Sequence, residues 1–563
     1  MKTVWLGFLL VLLWVPASVF ALSRSVPESV PESVPEAARH IEAALQRPDP
    51  LAAEAGALRH GFSGTDTLRW FYAERGYAPA WDREDRLARL IAALDALVED
   101  GLDPESYRLA DLRQMQAAQS ILSPVQIACK DLLATDAYLA AVLHLALGRL
   151  DPSEIEPTWR PGEPAVADAA RLRLIMLATE SLDAPGLAFA QARPDTVQYR
   201  GLRAAYVALL RQPAETAGPT LPSGSLLREG DRDPRVPLLR QRLQVEAPED
   251  AAASRDSQRY NADLVAAVLD FQRAHGLAAD GIVGPETLAA LNRSVASRLE
   301  QLRVNLERMR WLASDPLDFG VLVDIAGAQI RYVREGETVW SARAQVGRPT
   351  RQTPRLQSEV THLTFNPSWT VPPTIFRQDV LPQIRDDIGY LKENRMQVLD
   401  HGGNRLDPAA IDWSDPSGIL VRQEPGPHNA LGRVAFRFPN PFHVYLHDTP
   451  NQMIFERAHR QVSSGCVRVE RPMELVDLLA EDGSEVDRQH VAELQAAAGT
   501  RNFHLPRPIP IRIAYWTADV AADGSVSLRP DIYGRDPRIA QALSEPVLAG
   551  HRVGFCAGMD GPY

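Results

Sequence analysis

The stretch Phe442-His443-Val444-Tyr445-Leu446-His447 alternates apolar and polar side chains. A period of two is the pattern of a β-strand, in which successive side chains point to opposite faces. The predicted strand carries two imidazoles and a phenol on one face and three apolar side chains on the other. A second stretch, Cys466-Val467-Arg468-Val469-Glu470, alternates in the same way. We expect it to place the thiol and the guanidinium on one side and the two valines on the other.

The same period of two recurs upstream of these stretches. It marks short strands at residues 321–325, 329–333 and 342–346, separated by glycine-containing turns. We therefore predict a mainly β domain over residues 315–536. Between about residues 376 and 441 the alternation is lost, and this part predicts a helical and loop-rich insertion.

The sequence before the predicted β domain has the apolar spacing of helices. Apolar residues recur at three- and four-residue spacing through residues 37–211, which predicts an all-helical scaffold domain. A Pro-, Gly- and Ser-rich linker at 212–225 precedes a small helical module at 226–296, and an amphipathic linker helix at 297–314 leads into the β domain. Residues 537–563 are assigned to a C-terminal tail. The predicted fold class is multidomain α+β.

The N-terminus predicts export from the cytoplasm. Residues 1–21 combine Lys2, an uncharged apolar run and a small-residue exit, which is typical of a secretory signal peptide. Residues 22–36 repeat Ser-Val-Pro-Glu and predict an extended tether. An uncleaved membrane anchor is the alternative, because the apolar run approaches the length of a spanning helix. In both cases we expect the body of the chain in the periplasm or cell envelope.

Charge and lysine content exclude two classes of protein. A net charge of −12 over 563 residues argues against nucleic acid as a partner. Serine acyltransferases of the penicillin-binding class need Ser-x-x-Lys and Lys-Thr-Gly. Lysine occurs only as Lys2, Lys130 and Lys392, and neither of the last two has a serine three residues earlier. The chain is therefore not a penicillin-binding protein.

Three cysteines are present, Cys129, Cys466 and Cys556. Exported proteins usually pair their cysteines, and an odd number leaves at least one thiol unpaired. We interpret Cys129 and Cys556 as small buried hydrophobic residues. Cys466 lies in a polar, glycine-containing stretch, which favours a chemical role for its thiol.

Cys466 and His447 together suggest cysteine acyl-transfer chemistry. A nucleophilic cysteine needs a base and backbone N–H donors for the tetrahedral oxyanion. His447 is the candidate base, and the Ser464-Gly465 turn is the candidate source of donors. Arg468 would favour the thiolate or bind a substrate carboxylate. A zinc site formed by Cys466 with His443 and His447 is the less favoured alternative, because no supporting carboxylate can be assigned from the sequence. We predict no metal and no cofactor.

These residues resemble a known family. His447-Asp448-Thr449 followed by Ser463-Ser464-Gly465-Cys466-Val467-Arg468 resembles the signature of the L,D-transpeptidases, whose β-rich catalytic domain is called the YkuD fold. The module at 226–296, with Phe271-Gln272-x-x-His275-Gly276-Leu277, resembles the three-helix peptidoglycan-binding module of wall enzymes. The order of domains is similar to the large YcbB-type subclass. Supporting strings are Val346-Gly347, Thr353-Pro354, Asn366-Pro367-x-Trp369, Tyr515-Trp516-Thr517 and Asp531-Ile532-Tyr533.

The resemblance implies a mechanism. Cys466 would attack a stem-peptide carbonyl at the L-centre of a diamino acid and expel the terminal D-alanine. An amine of a second stem peptide would resolve the thioester into a three-to-three crosslink. His447 would take the thiol proton, oriented by the carbonyl of Asp448. Backbone N–H groups of Ser464, Gly465 and Cys466 would form the oxyanion hole, and the insertion would act as a lid.

The resemblance also implies substrate contacts. Trp369 and Tyr445 are candidate walls of the substrate groove, with Arg468 and Ser463 as further contacts. Many family members have Ser-His-Gly-Cys, whereas this chain has serine at position 464. No second histidine is available there, so the role of base falls to His447. The implied partners are donor and acceptor stem peptides, together with other wall synthases.

Several alternatives stay open. Water in place of the amine would make the enzyme an L,D-carboxypeptidase. A papain-like or wall-hydrolase cysteine peptidase is disfavoured, because there the cysteine usually precedes the histidine, whereas His447 precedes Cys466. A wall-binding scaffold with an inactive catalytic domain is disfavoured because no motif residue is missing. The module at 226–296 either grips glycan or only packs against its neighbour.

Overall fold

The computed structural model describes residues 33–46, 64–117, 122–156, 164–212, 220–246, 255–457, 459–482, 485–497, 499–521 and 523–545. The predicted signal peptide lies outside these residues, as do Cys556 and most of the predicted tether and C-terminal tail. No helix within the described ranges is both long enough and apolar enough to cross a membrane.

The N-terminal part is helical, as predicted. Its central helix is capped by Ser123, whose side chain accepts from the Gln126 N–H while the Gln126 side chain accepts from the Ser123 N–H. Apolar residues along this helix are buried among its neighbours and form the core of the domain. The helices are α1 (Ser33–Gln46), α2 (Gly64–Ala73), α3 (Glu84–Asp95), α4 (Leu109–Ala117), α5 (Pro124–Leu147, the central helix), α6 (Pro152–Ile155), α7 (Pro164–Glu180), α8 (Pro185–Ala192) and α9 (Val197–Leu210).

Two predictions about this part are wrong. The tether was expected to run to residue 36, but α1 begins at Ser33, inside the last Ser-Val-Pro-Glu repeat. Proline is tolerated in the first turn of a helix, so Pro35 does not prevent this start. Cys129 is buried as expected, but it is disulfide-bonded rather than a free side chain.

The small module contains α10 (Val236–Leu243), α11 (Ala262–Ala274) and α12 (Pro285–Leu291). The buried side chain of Gln272 holds it together. Its amide N–H₂ donates to the Asp280 carboxylate, the Ile282 carbonyl and the Thr287 hydroxyl, and its carbonyl accepts from the Gly281 N–H. The glutamine of the Phe-Gln-x-x-His motif therefore fixes the turn between α11 and α12.

Helix α13 (Val295–Ala313) differs from the amphipathic linker that was predicted at 297–314. Its polar residues Asn305, Glu307, Arg308 and Arg310 are buried, as are its apolar ones. The polar side chains are satisfied by neighbouring domains: Leu150 N–H donates to Glu307 at 2.7 Å, and Asn305 bonds to a threonine of the β domain. The helix is buried because residues of both the scaffold and the β domain pack on it. Helix α19 (Asp536–Ser544) packs on α13, so the start of the predicted tail is folded.

The β domain is built on one nine-stranded sheet. Its strand order is β11-β3-β12-β10-β9-β4-β13-β1-β2, and β2 also pairs with β3, which closes the sheet on itself. The predicted strands at 321–325, 329–333 and 342–346 are confirmed as β1, β2 and β3. The strands are β1 (Gly320–Asp324), β2 (Gln329–Arg334), β3 (Glu337–Gly347), β4 (Leu356–Phe365), β9 (Val434–Arg437), β10 (Leu446–His447), β11 (Gln461–Ser463), β12 (Val467–Val469) and β13 (Arg501–Ala514). Helices α17 (Pro472–Glu481) and α18 (Glu485–Ala496) follow β12, and a hairpin of β14 (Ala518–Val520) and β15 (Val526–Leu528) follows β13.

The insertion is richer in strands than predicted. It opens with α14 (Pro373–Ile375), a π-helical turn (Phe376–Val380), α15 (Leu381–Asp386) and α16 (Gly389–Glu393). It then adds β6 (Met396–Asp400), β7 (Arg405–Leu406) and β8 (Ile419–Gln423), which form a four-stranded sheet with β5 (Trp369–Thr370). Strand β9 also falls within the predicted range but belongs to the main sheet. These strands are short and lack a clear alternation, so the helical and loop-rich prediction was wrong for this half.

Candidate active site

Strand register brings the predicted site residues onto one face of the sheet. Strand β10 runs parallel to β12, with Leu446 beside Val467 and His447 beside Arg468. Leu446 and Val467 are buried in the core of the β domain. Because side chains alternate, Tyr445 and His447 share the opposite face with Cys466 and Arg468.

The loop that carries Cys466 is held by its own serine. The Ser463 hydroxyl donates to the Cys466 carbonyl at 2.6 Å and accepts from the Gly465 N–H at 3.1 Å. Gly465 has φ +113°, a region that residues with a Cβ rarely adopt. The turn therefore needs glycine at 465. Ser463 is buried and engaged within the loop, so its contacts position the thiol.

Thr353 supports the same loop through hydrogen bonds to Gly465 and Gly347. Its buried hydroxyl donates to the Gly465 carbonyl at 2.9 Å and accepts from the Gly347 N–H at 2.9 Å. The Tyr533 hydroxyl accepts from the Thr353 N–H and donates to the Gly347 carbonyl at 2.7 Å. The motif strings containing these residues therefore correspond to one hydrogen-bonded support under the loop.

His447 is buried as a neutral imidazole. Its Nδ1 lies 2.5 Å from the carbonyl oxygen of Asp448, so Nδ1 carries the proton and donates. Burial, reinforced by the nearby charge of Arg468, lowers the pKa of His447 to about 3. At neutral pH the ring therefore presents an unprotonated Nε2, which can accept a proton.

The Asp448 carboxylate supports the backbone instead of the imidazole. It accepts from the Arg433 N–H at 2.8 Å, the Thr449 N–H at 2.7 Å and the Gln452 side chain at 3.0 Å. A Cβ at Gly432, which has φ +61°, would lie 2.4 Å from this carboxylate. Glycine at 432 thus makes room for the aspartate whose carbonyl orients His447.

Cys466 is a free, half-buried thiol. Burial raises its pKa, while a backbone hydrogen bond from Tyr445 and the charges of Arg437 and Arg468 act in the opposite direction. The thiol is therefore mostly protonated at neutral pH. An arrangement of a neutral thiol and a neutral imidazole needs proton transfer during attack rather than a preformed ion pair.

Tyr445 and Trp369 lie side by side near the thiol. The Trp369 side chain lies close to the Tyr445 hydroxyl, and the Tyr445 ring centre is 5.6 Å from that of His447. The guanidinium carbon of Arg437 lies 4.2 Å from the centre of the Tyr445 ring. Burial raises the pKa of Tyr445, so its hydroxyl stays protonated.

Arg468 contacts the adjacent strand β3. It donates to the buried side chain of Gln345 at 2.7 Å, across the strand register that pairs the two residues. Two buried donors here, Arg468 Nε and Gln345 Nε2, have no hydrogen-bond partner among the described residues. A ligand carbonyl or carboxylate could satisfy them.

The three expected oxyanion donors are not equivalent. The Gly465 N–H is engaged by Ser463, which differs from the expectation that all three are free. The N–H groups of Ser464 and Cys466 make no hydrogen bond to any described residue. The structure therefore leaves two of the three N–H groups free for an oxyanion.

Ser464 binds two arginines. Its hydroxyl accepts from Arg351 at 2.8 Å and from Arg348 at 3.1 Å. Arg351 also pairs with Asp379 and bonds to Gln378 in the π-helical turn of the insertion. A single guanidinium thus joins the thiol loop to the insertion.

The predicted position of His443 is wrong. Phe442 and Val444 N–H groups both donate to the Asn440 side chain, and His443 adopts φ +54° in the resulting turn. This turn shortens β10 to two residues and leaves His443 exposed. In the described part of the chain, no three His, Cys, Asp or Glu side chains are grouped so that they could hold a metal ion.

Several contacts of the site were not expected from the sequence. Thr353 and Tyr533 were quoted as motif residues without a role. Arg437, Gln345 and Arg351 were not singled out. Alternation along β9 and β3 shows which residues share a face with Arg437 and Gln345. It does not show that this face carries Cys466 and His447, because the strand order cannot be predicted from the sequence.

Comparison with protein families divides the chain into three matches. Residues 66–205 match the family described as a scaffold domain, residues 232–291 a putative peptidoglycan binding domain, and residues 318–488 an L,D-transpeptidase catalytic domain. A putative L,D-transpeptidase of Haemophilus influenzae is 34% identical over 245 residues, which is 43% of this chain and 49% of the relative. The aligned part therefore spans about half the length of that relative.

Two solved structures show weaker likeness. An L,D-transpeptidase fragment from Xylanimonas cellulosilytica is 17% identical, with 52% of this chain and 99% of that chain covered and a TM-score of 0.16. An L,D-transpeptidase from Mycobacterium smegmatis is 15% identical, with 34% and 57% covered and a TM-score of 0.16. TM-scores this low do not bear on the fold or the function of this chain.

Proposed function

We propose that this chain, whose residues 318–488 match the family described as an L,D-transpeptidase catalytic domain, crosslinks peptidoglycan stem peptides through an acyl-enzyme on Cys466. One observation carries the proposal. A free thiol shares a sheet face with a buried imidazole whose Nδ1 is occupied by the Asp448 carbonyl. The remaining nitrogen, Nε2, can only accept a proton at neutral pH, which is what a thiol nucleophile requires.

In the first half-reaction the thiol proton moves to His447 Nε2 as the sulfur of Cys466 attacks the donor carbonyl. The carbonyl oxygen becomes an oxyanion, which the free N–H groups of Ser464 and Cys466 stabilise. The imidazolium then protonates the nitrogen of the terminal D-alanine. The C–N bond breaks, D-alanine leaves, and a thioester remains on Cys466.

In the second half-reaction an amine of a neighbouring stem peptide attacks the thioester. His447 takes the amine proton, the new amide bond forms, and the C–S bond breaks. The thiolate recovers its proton from the imidazolium. The product is a three-to-three crosslink, and the enzyme returns to its neutral pair of side chains.

Substrate contacts are assigned on the same face. Tyr445 and Trp369 form a wall beside the thiol, and Arg468 with Gln345 offers buried donors without partners. We assign Arg468 to a carboxylate or carbonyl of the donor peptide. Ser463 acts through the loop and positions the thiol, because both of its hydrogen bonds lie inside that loop.

The place of action follows from the substrate. Peptidoglycan lies outside the cytoplasm, so we propose that the chain works in the periplasm or cell envelope in wall biogenesis. Export by the predicted signal peptide at residues 1–21 and cooperation with other wall synthases belong to the same proposal. The domain boundaries assigned from the sequence are retained as part of it, except that the first helix begins at Ser33 and folded structure continues to Ser544.

Mass spectrometry of muropeptides tests the proposal. The purified full chain is incubated with disaccharide-tetrapeptide, and the products of Cys466→Ala serve as the blank. We expect a crosslinked dimer with the mass of two tetrapeptides minus one D-alanine. Tripeptide without dimer would identify an L,D-carboxypeptidase instead. Cleavage elsewhere in the peptide would identify a wall hydrolase, and no product at all would leave the inactive scaffold.

A further inference from the structure

A second concave site lies away from the thiol. It is a cleft of about 1300 Å³ between the small module and the β domain. One wall is the end of α11 with residues 274–277 and part of α12, and the opposite wall is the β1–β2 turn and the start of β2. The β14–β15 hairpin closes one side. Pockets for single small molecules usually measure about 300–1000 Å³, so this cleft has room for a longer ligand.

The lining carries more arginines than carboxylates, although three of the arginines are paired, Arg273 with Asp270 and both Arg331 and Arg529 with Asp519. Five arginines line the cleft against two carboxylates, although the whole chain carries a net charge of −12. A positive cleft of this kind raises the local concentration of anionic ligands. The arginines are Arg273, Arg293, Arg331, Arg460 and Arg529, and the carboxylates are Glu286 and Asp519.

Two of these arginines have no carboxylate partner among the described residues. Arg460 donates only to backbone carbonyls, at 3.0 to 3.4 Å. Arg293 donates only to the side chain of Gln301. Burial lowers the pKa of both guanidinium groups, so an anionic group beside either would compensate for lost hydration.

The cleft lies within reach of the thiol loop. Gln461 lines the cleft, and Cys466 follows five residues later, so the two Cα atoms are at most about 17 Å apart. An extended four-residue peptide covers a similar length, about 14 Å. Pro349 also lines the cleft, and the N–H of the preceding Arg348 donates to the Ser463 carbonyl at 3.0 Å.

We propose that this cleft binds a glycan strand with its carboxylate-bearing stem peptides and presents one stem to Cys466. The side chains of Gln329, Ser525 and Ser527, which line the cleft, meet the sugar hydroxyl and amide groups, and Arg293 with Arg460 meets carboxylates of the stems. The inference rests on the proposed function and adds to it a second binding site, shared between module and catalytic domain. It implies that the module grips substrate together with the β domain.

Binding to uncrosslinked glycan strands tests this site. The full chain with Cys466→Ala, which cannot turn over, is titrated with soluble strands carrying tetrapeptide stems. We expect Arg293→Gln and Arg460→Gln each to weaken binding at least fivefold, and the loss to shrink as salt is raised. Arg83→Gln is the matched control, because Arg83 is an exposed scaffold arginine outside the cleft.

Turnover of a free stem peptide separates this proposal from the proposed function. With Cys466 intact, the two cleft variants should crosslink disaccharide-tetrapeptide at the wild-type rate, since a short donor does not need the cleft. If the two variants also crosslinked the free donor more slowly, by the same factor as they weaken strand binding, the cleft proposal would be overturned. It would also be overturned if neither variant changed strand binding, or if poly-glutamate bound as tightly as the glycan strand. A wild-type chain that never forms the crosslink would refute the proposed function alone, since strand binding is measured without turnover.

Discussion

The most discriminating prediction concerns the base, His447. Replacing it with glutamine keeps an N–H that can donate to the Asp448 carbonyl, but it removes the nitrogen that accepts the thiol proton. We expect His447→Gln to form an acyl-enzyme slowly at neutral pH. A carbapenem is a suitable donor, because its strained carbonyl acylates a thiol in one step.

The size of the effect follows from the pKa of the thiol and from the usual contribution of a general base. An ordinary thiol with a pKa of about 8.5 is a few per cent thiolate at pH 7, and burial of Cys466 raises its pKa further. General base catalysis contributes about 10²- to 10⁴-fold, so we expect a loss of that order at pH 7. Without a base the rate follows the thiolate fraction and rises about tenfold per pH unit.

The wild-type rate should behave differently with pH. Because the pKa of His447 is lowered to about 3, its imidazole stays neutral throughout pH 5 to 8. Wild-type acylation should therefore be nearly flat over this range. The ratio of wild type to variant should be about 100-fold larger at pH 5 than at pH 7. It should keep falling about tenfold per pH unit as pH rises and level off only above about pH 8.5, where the raised pKa of the thiol is approached.

Intact-protein mass spectrometry at timed intervals measures the adduct, and peptide mapping locates it. His443→Gln is the control, because that histidine is exposed in the preceding turn. Parallel pH profiles for wild type and His447→Gln would refute the role of His447. An adduct on a residue other than Cys466 would refute the nucleophile.

Three further predictions concern the thiol, its support and acid. Cys466→Ala should abolish both the carbapenem adduct and crosslinking without lowering Tm, and crosslinking by this folded variant would contradict the assignment. The wild-type chain should keep full activity in the presence of a chelator, whereas a loss reversed by zinc would favour a metal hydrolase. Thr353→Val keeps the shape but removes the hydroxyl between Gly347 and Gly465, so we expect stability to fall by about 1–3 kcal/mol and acylation to slow at least tenfold, and an unchanged acylation rate would contradict the support role. The unfolded state binds a proton at His447 before the folded state does, so this histidine should lower the unfolding free energy by up to about 1.4 kcal/mol per unit as pH drops from about 6.5 toward 3. His447→Gln should remove that share of the slope in urea titrations, while the share of His144, whose pKa is also lowered to about 3, remains.

Local sequence patterns predicted the elements of the fold well. The three-residue and four-residue spacing predicted the helical scaffold, and alternation predicted β1, β2 and β3 at nearly their observed bounds. Alternation also predicted that Arg468 leaves the core while Val467 and Val469 enter it. These successes depend on periods that a few neighbouring residues determine.

The failures arise where distant parts of the chain decide the outcome. Gln345 joins the site because β3 pairs with β12, more than 100 residues away, and no local pattern specifies that pairing. The polar residues of α13 are buried because two domains cover that helix. His443 is different, since the Pro-Asn-Pro sequence before it was a turn signal that could have ended the predicted strand.

The contacts of Arg351 limit how segments of this chain can be exchanged with those of other proteins. This side chain binds Ser464 of the thiol loop and Asp379 of the insertion at once. A chimera that received only a foreign insertion would lose the Asp379 carboxylate. The guanidinium groups of Arg348 and Arg351 would then share the Ser464 hydroxyl without it. A chimera with histidine at 464 would lose the hydroxyl that accepts from Arg351 and Arg348 in the thiol loop. Three parts of the chain would therefore have to be exchanged together: residues 348–351, Ser464 and the π-helical turn. More than 100 residues of sequence separate the first of them from Ser464.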